Sequence, residues 1–292
     1  MFTGAMVALV TPFQDGAIDF ETLDELIEFQ LDSGIDAIVP VGTTGECPTL
    51  SHEEHKQVIE RVVKTVSGQV PVIAGAGSNS TAEAIELTEY SKKVGADATL
   101  QVGPYYNKPT QEGFYQHFRA IAEEVDLPIV LYNIPSRCGA GMTPETIARL
   151  AEIENIVAVK EASGSLDQAS EIAMRCDLTI ISGDDSLTLP LASVGGKGVI
   201  SVVANIVPAD VKAMTDLILE GDFASARQWH RKLFPLSKNM LTLATNPIPI
   251  KAAMAILDMC SPELRLPMTP LEQGKMPVLE QTLKDYGLLS RV

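Results

Sequence analysis

Short apolar segments rich in Val, Ile and Ala recur along the chain, and several contain no alternating polar positions. Apolar runs of this length are typical of strands that are buried on both faces of a parallel sheet. The predicted strands span residues 5–10, 37–41, 70–74, 98–102, 129–132, 156–160, 178–182 and 198–203.

Amphipathic segments lie between these runs. Residues 20–31 carry apolar side chains at Leu23, Leu26, Ile27 and Leu31, which is the spacing of one helix face. Ser51 followed by Glu54 predicts a capping box that begins a helix over residues 52–66. Further helices are predicted over residues 81–94, 111–125, 144–153 and 166–176.

The alternation of strands and helices predicts a parallel α/β sheet. Eight such units within about 250 residues predict a (β/α)8 TIM barrel. The alternative is an open doubly wound sheet. It is disfavoured because the run Gly75-Ala76-Gly77 lacks the third glycine of a dinucleotide fingerprint.

The strand pattern ends near residue 207, and helices are predicted near 208–220, 223–242, 249–257 and 271–286. We expect one of these helices to complete the barrel. The predicted division is a catalytic barrel over residues 1–224 and a C-terminal helical region over residues 225–292, packed on the barrel or on a partner subunit.

Charge and composition narrow the function. The 292 residues carry a formal net charge of −16, which argues against binding to nucleic acid or to an anionic membrane surface. No apolar run approaches the roughly 20 residues of a membrane-spanning helix, and no signal peptide is predicted. Cys47, Cys138, Cys176 and Cys260 form no Cys-x-x-Cys pair, so we expect reduced thiols in a cytoplasmic protein.

The active site of such a barrel lies where the strands end. Lys160 ends an apolar strand, although lysine is rare in strands and in protein interiors. Desolvation there favours the neutral amine, which can attack a carbonyl and form a Schiff base. The alternative is a structural ion pair with a carboxylate such as Glu161.

Hydroxyl groups lie at the ends of several predicted strands or directly after them, in Thr43, Thr44, Tyr105, Tyr106 and Tyr132. Such groups can pass protons to and from a carbinolamine. In the loop after the fifth strand, Arg137 is a candidate to bind a substrate carboxylate, or else forms a surface ion pair.

No catalytic metal is predicted. His52 and His55 lack the i, i+4 spacing of zinc proteases. Asp184 and Asp185 have no second group of ligands nearby in the sequence, and Cys138 has no adjacent general base.

Several strand-end motifs together resemble the dihydrodipicolinate synthase family, the 4-hydroxy-tetrahydrodipicolinate synthases, within the N-acetylneuraminate lyase superfamily. The resemblance extends through nearly the whole chain. Its motifs lie at residues 7–12, 41–46, 104–109, 131–135, 159–164, 246–249 and 265–268.

The resemblance implies a set of site residues and no cofactor. Lys160 would form the Schiff base with pyruvate, and Thr43, Tyr132 and Tyr106 would form a proton relay. The residue matching Tyr106 reaches into the neighbouring subunit in this family, so a homodimer or homotetramer is implied. Thr44 would hold the pyruvate carboxylate, Ile200 would line the pyruvate pocket, and Arg137 would receive the carboxylate of the second substrate.

The implied reaction is the condensation of pyruvate with aspartate 4-semialdehyde in lysine and diaminopimelate biosynthesis. Sialic-acid and sugar-acid aldolases share much of this site, but Arg137 and the Thr43-Thr44 pair favour a synthase. Cys138 departs from the commoner threonine. A non-catalytic carboxylate-binding barrel and a nucleotide-dependent oxidoreductase are the remaining alternatives.

The resemblance also implies a candidate feedback site for lysine at a dimer interface. The matching residues are His52, His55, Asn79, Glu83 and Tyr105. Cys47 and Pro48 depart from the small residues usual there, so the sequence leaves this regulation open.

Overall fold

Eight parallel strands form the centre of the protein in a computed structural model that describes residues 2–289. A two-stranded antiparallel hairpin lies beside them. In chain order the strands are β1 (Gly4–Ala8), β2 (Phe13–Gln14), β3 (Ala17–Ile18), β4 (Ala37–Val39), β5 (Ile73–Gly75), β6 (Ala98–Val102), β7 (Ile129–Asn133), β8 (Ile156–Glu161), β9 (Thr179–Ser182) and β10 (Gly198–Ser201).

The large sheet closes on itself. Its strand order is β4-β1-β10-β9-β8-β7-β6-β5, and a parallel bridge between Ile38 and Val72 joins its two edges. The predicted TIM barrel is therefore confirmed, and the open doubly wound alternative is wrong.

Helices alternate with the barrel strands as the periodicity predicted. They are α1 (Phe20–Asp32), α2 (His52–Val66), α3 (Thr81–Val94), α4 (Gln111–Glu124), α5 (Pro135–Cys138), α6 (Pro144–Leu150), α7 (Leu166–Arg175), α8 (Thr188–Ala192), α9 (Pro208–Leu219), α10 (Phe223–Thr242), α11 (Ile248–Ile256) and α12 (Met276–Tyr286). The capping box of Ser51 and Glu54 is present, so that prediction is confirmed.

Three short elements were not predicted, and several boundaries differ from the prediction by one to five residues. The β2–β3 hairpin and the helices α5 and α8 are too short to produce a readable period. The last helix begins at Met276 rather than at residue 271, because Gln273–Lys275 form a 3-10 turn before it. Pro277 then lies in the first helical turn, where its missing N–H costs nothing.

The C-terminal helices share a hydrophobic core with the barrel. Leu233, Leu236 and Met240 of α10 belong to the same buried cluster as Val7 and Leu9. Burying one such side chain contributes about 1.5–3 kcal/mol. The helices therefore pack on the barrel, while the proposed division at residue 224 stays a prediction. No helix among residues 2–289 has the length and apolar character needed to cross a membrane.

The glycine run after β5 has a packing role. A Cβ atom on Gly75 would lie 2.3 Å from the carbonyl oxygen of Val41, and one on Gly77 would lie 2.3 Å from the amide nitrogen of Val102. Neighbouring backbones approach too closely for a Cβ atom at either position, so packing alone requires glycine there, without a bound phosphate.

Candidate active site

Lys160 and Tyr132 face each other across adjacent strands. They are register partners in the β7–β8 pair, and the ammonium nitrogen of Lys160 lies 4.2 Å from the centre of the Tyr132 ring. Both side chains are buried. Gly183 packs against the lysine stem, since a Cβ atom there would lie 3.1 Å from Cε of Lys160. The barrel thus encloses one lysine beside one tyrosine.

Burial lowers the pKa of Lys160 to about 7, and the positive charge of Arg137 acts in the same direction. The negative charge of Asp185 opposes this shift. Near neutral pH a substantial fraction of the amine is therefore unprotonated, which is the form that attacks a carbonyl.

The alternative for Lys160 was a structural ion pair with Glu161, but the carboxylate of Glu161 binds other groups. Its carboxylate accepts hydrogen bonds from Nδ2 of Asn133 at 3.0 Å, the amide of Ser163 at 2.6 Å and Nε2 of Gln168 at 3.0 Å. This buried network fixes the loop that follows Lys160. The carboxylate of Glu161 is therefore not the ion-pair partner of Lys160.

Asp185 is a site residue that the sequence did not single out as part of the site. Its buried carboxylate accepts hydrogen bonds from the hydroxyl of Ser201 and from the amides of Val202 and Val203. Burial raises its pKa to about 6, so the carboxylate is largely ionised at neutral pH. The available signal was its position directly after a barrel strand.

The turn after β4 carries Thr43 and Thr44. The amide of Gly45 donates to the carbonyl of Gly42 at 3.1 Å, and the amide of Glu46 donates to the carbonyl of Thr43 at 3.1 Å. Glu46 adopts a left-handed conformation with φ of 55°. Such a conformation is uncommon without glycine and indicates that surrounding contacts fix the turn.

Thr11 supplies one such contact, because its hydroxyl donates to the carbonyl of Gly45 at 2.7 Å, and the C-terminal region supplies others. Asn246 donates a hydrogen bond through Nδ2 to the hydroxyl of Thr44 at 3.0 Å. Its backbone carbonyl accepts one from Nη2 of Arg137 at 3.1 Å. Asn246 lies in a family motif, but no role could be predicted for it, because no local pattern indicates that residues so far apart in sequence meet.

Thr43 and Tyr132 share a cavity of about 30 Å³ between strands β4 to β7. Burial raises the pKa of Tyr132 to about 12, and a hydrogen bond with Thr43 acts in the opposite direction. The phenol therefore stays protonated at neutral pH and can donate its proton. Ile200 is buried in the same interior cluster as Tyr132.

Within a single chain, Tyr106 does not lie with Lys160, Tyr132 and Thr43. Tyr106 is 90% exposed, and its backbone has a φ of 72°. Arg137 is also exposed, in the short helix α5 that follows β7. The structure thus joins Lys160, Tyr132 and Thr43 and leaves Tyr106 on the surface.

The residues of the implied lysine site surround the loop after β5. Nε2 of His55 lies 2.7 Å from the carbonyl oxygen of Gly75, and Asn79 donates through Nδ2 to the carbonyl of Tyr105 at 3.0 Å. Glu83 accepts a hydrogen bond from the hydroxyl of Ser78 at 2.7 Å. His52 lies exposed at the start of α2.

The thiols near the site are poor nucleophiles. Burial raises the pKa of Cys47 to about 12 and that of Cys138 to about 11. The thiol of Cys138 also donates to the carbonyl of Gly103 at 3.1 Å. Across residues 2–289, no group of three or more His, Cys, Asp or Glu side chains has an arrangement that could hold a metal ion.

A TIM barrel with a buried, partly deprotonated lysine at a strand end defines the class of Schiff-base barrel enzymes. The sequence profile of the dihydrodipicolinate synthetase family matches residues 1–286. The chain belongs to this family.

Its relatives are similar over their full length. The 4-hydroxy-tetrahydrodipicolinate synthase of Geotalea uraniireducens is 54% identical over 291 residues, which is 99% of this chain and 100% of the relative. The crystal structure of the synthase from Aquifex aeolicus has a TM-score of 0.97 and 51% identity, and the match covers 98% of this chain and 99% of that one. The synthase of Cyanidioschyzon merolae, solved with lysine bound, has a TM-score of 0.95 and 44% identity over 99% of both chains.

Proposed function

We propose that Lys160 attacks pyruvate to form an imine, with Tyr132 and Thr43 moving the protons. The reaction is the condensation of pyruvate with L-aspartate 4-semialdehyde to 4-hydroxy-tetrahydrodipicolinate, in lysine and diaminopimelate biosynthesis. This reaction was predicted from the sequence, and the full-length relatives that carry its name confirm it. The protein is therefore a pyruvate-dependent lyase.

One observation carries the assignment of the nucleophile. Lys160 is buried in the barrel, its pKa is lowered to about 7, and it lies beside Tyr132. Lys160 has no ion-pair partner within residues 2–289, so a purely structural role would leave the desolvation cost of its charge without compensation there. The placement instead matches the needs of an amine nucleophile.

The chemistry follows from these groups. The amine of Lys160 adds to the pyruvate carbonyl, and loss of water gives the imine. The imine acidifies the methyl group, so loss of a proton gives an enamine, which attacks the aldehyde carbon of the second substrate. The amine of that substrate then attacks the imine carbon, closes the ring and releases Lys160. Tyr132 and Thr43 are placed to donate and accept the protons.

The remaining predicted residues fit binding roles. Thr44 is buried in the turn that faces the barrel interior, where its hydroxyl can donate to the pyruvate carboxylate. Ile200 supplies an apolar wall beside Tyr132. Arg137 lies at the entrance and is positioned to bind the carboxylate of the semialdehyde. Its presence favours the synthase over a sugar-acid aldolase.

Tyr106 requires a second subunit for its role. We propose that it completes the relay in a neighbouring subunit, so that the active form is a homodimer or a homotetramer. Its 90% exposure in the single chain supports a role outside its own barrel. The four cysteines are free thiols, which supports the expected cytoplasmic location.

We also propose lysine feedback at the site formed by His52, His55, Asn79, Glu83 and Tyr105. Glu83 supplies a negative charge for the ammonium group of lysine. The relative from Cyanidioschyzon merolae was solved with lysine bound. If millimolar lysine neither lowers the rate nor shifts the melting temperature, this proposal is wrong.

A coupled assay tests the reaction. Purified protein is supplied with pyruvate and aspartate 4-semialdehyde, and product is consumed by the next reductase of the pathway. Turnover with the semialdehyde and none with N-acetylmannosamine supports the synthase. The opposite preference would move the substrate to a sugar-derived aldehyde.

A further inference from the structure

Asn246 contacts both residues that are proposed to hold substrate carboxylates. It is 7% exposed and lies between α10 and α11. Its side chain donates to Thr44, and its backbone carbonyl accepts from Arg137. The side-chain oxygen of Asn246 accepts no hydrogen bond from within residues 2–289. The hydrogen bond to Thr44 therefore orients the carboxamide of Asn246.

The direction of the Asn246–Thr44 hydrogen bond has a chemical consequence. A threonine hydroxyl has one proton to donate and two lone pairs to accept with. Because the hydroxyl of Thr44 accepts from Nδ2 of Asn246, its own proton stays available for another acceptor. A hydrogen bond to an anionic oxygen is about twice as strong as one between neutral groups, and a hydroxyl that also accepts is a better donor.

We propose that Asn246 is a positioning residue that turns the hydroxyl proton of Thr44 toward the carboxylate of pyruvate. The inference rests on the proposed function, since it requires Thr44 to bind that carboxylate. The backbone carbonyl of Asn246 at the same time holds Arg137 at the entrance. The side chain of Asn246 therefore affects pyruvate binding through Thr44, and its backbone affects binding of the second substrate through Arg137.

Asn246→Asp tests this assignment with little change in shape. A carboxylate can only accept, so it takes the proton of Thr44 away from pyruvate. The KM for pyruvate is expected to rise about tenfold or more, the loss typical of a hydrogen bond to a charged group. The KM for the semialdehyde should rise less than that for pyruvate, because the new charge acts on both carboxylates but the backbone carbonyl that holds Arg137 is unchanged.

The added negative charge would itself weaken pyruvate binding, and a double-mutant cycle separates the two effects. In the Thr44→Val background the proton is already gone, so Asn246→Asp should raise the pyruvate KM only about threefold or less. Equal ratios in both backgrounds would overturn the proposal, because charge alone would then explain the effect. An unchanged KM in Asn246→Asp would also overturn it, since Thr44 would then be donating to the carboxamide oxygen.

Asn246→Ala distinguishes the proposed role of Asn246 from a general folding defect. It leaves the hydroxyl of Thr44 free, so its pyruvate KM should lie between those of the parent and of Asn246→Asp. A purely structural role predicts that the larger truncation to alanine is at least as harmful, which would contradict the proposal.

Asn239→Asp is a matched control. Nδ2 of Asn239 donates to the hydroxyl of Thr282 at 2.7 Å, between α10 and α12. It should alter the melting temperature without changing either KM. Borohydride trapping of pyruvate on the parent protein is measured in parallel. Failure of that trapping would remove the proposed function itself, whereas trapping without the expected KM pattern would remove only the role of Asn246.

Discussion

The ammonium group of Lys251 lies 2.6 Å from the carboxylate of Glu46, and both side chains are almost completely buried. Lys251 also donates to the carbonyl of Glu263 at 2.8 Å and lies 4.2 Å from the centre of the Phe13 ring. The other oxygen of Glu46 accepts from the amide of Arg265 at 3.0 Å. This network joins the C-terminal region to the turn that carries Thr43 and Thr44.

Lys251→Met should strongly destabilise the fold. Removal of one partner leaves the carboxylate of Glu46 buried without its counter-charge, which costs about 3–5 kcal/mol in comparable pairs. Urea unfolding measures the change. The double variant with Glu46→Gln should recover part of the loss, because no uncompensated charge remains.

The exposed pair of Arg119 and Glu123 provides the comparison for Lys251→Met. Arg119→Met should change the free energy of unfolding by less than about 1 kcal/mol. Similar losses for Lys251→Met and Arg119→Met would show that the buried pair does not hold the turn.

Imine formation should depend on pH through the amine of Lys160. Its pKa is lowered to about 7, so the neutral fraction rises from about one tenth at pH 6 to about nine tenths at pH 8. The rate of imine formation should rise over this interval and then level off. Rapid mixing with pyruvate, followed by a borohydride quench at one fixed pH, gives that rate. A profile that keeps rising to pH 10 would indicate an ordinary lysine.

Asp185→Asn should move that profile to lower pH. The negative charge of Asp185 holds the pKa of Lys160 up, so its removal lowers the pKa further. Stability should also fall by about 1–3 kcal/mol, because an amide group replaces an oxygen that accepts backbone hydrogen bonds. Asp184→Asn is the matched control, since Asp184 accepts from the amide and hydroxyl of Ser186. An unshifted midpoint in Asp185→Asn would exclude the electrostatic role.

Mixed oligomers test the role of Tyr106. Tyr106→Phe and Lys160→Ala should each have little activity alone. When the two variants are unfolded and refolded together, one site in each hybrid pair combines an intact Lys160 with a partner's intact Tyr106. Activity should therefore return to a fraction of that of the parent. No recovery, despite hybrid formation by mass spectrometry, would place Tyr106 outside the shared site.

Much of the barrel could be predicted from the sequence, because buried parallel strands and amphipathic helices leave periodic patterns. The bounds of α2 and α3 were predicted to the residue. Lys160 was identifiable because a charged residue at the end of an apolar strand breaks that pattern. The β2–β3 hairpin was not predicted, since two-residue strands have no readable period.

The supporting residues of the site were harder to find. Asn246 meets Thr44 across 202 positions of sequence, and Lys251 meets Glu46 across a similar span. Such pairs are set by tertiary packing, and a single sequence contains no local signal for them. The roles of Thr44, Arg137 and Tyr106 came from family resemblance and stay proposals until they are measured.

The assignment of Lys160 as the nucleophile can be tested by reducing the complex of protein and pyruvate with borohydride and mapping the modified residue by peptide mass spectrometry. We expect the pyruvate adduct on Lys160. We also expect Lys160→Ala to fold normally and to form no adduct. An adduct on another lysine, or continued trapping by Lys160→Ala, would contradict the assignment of the nucleophile.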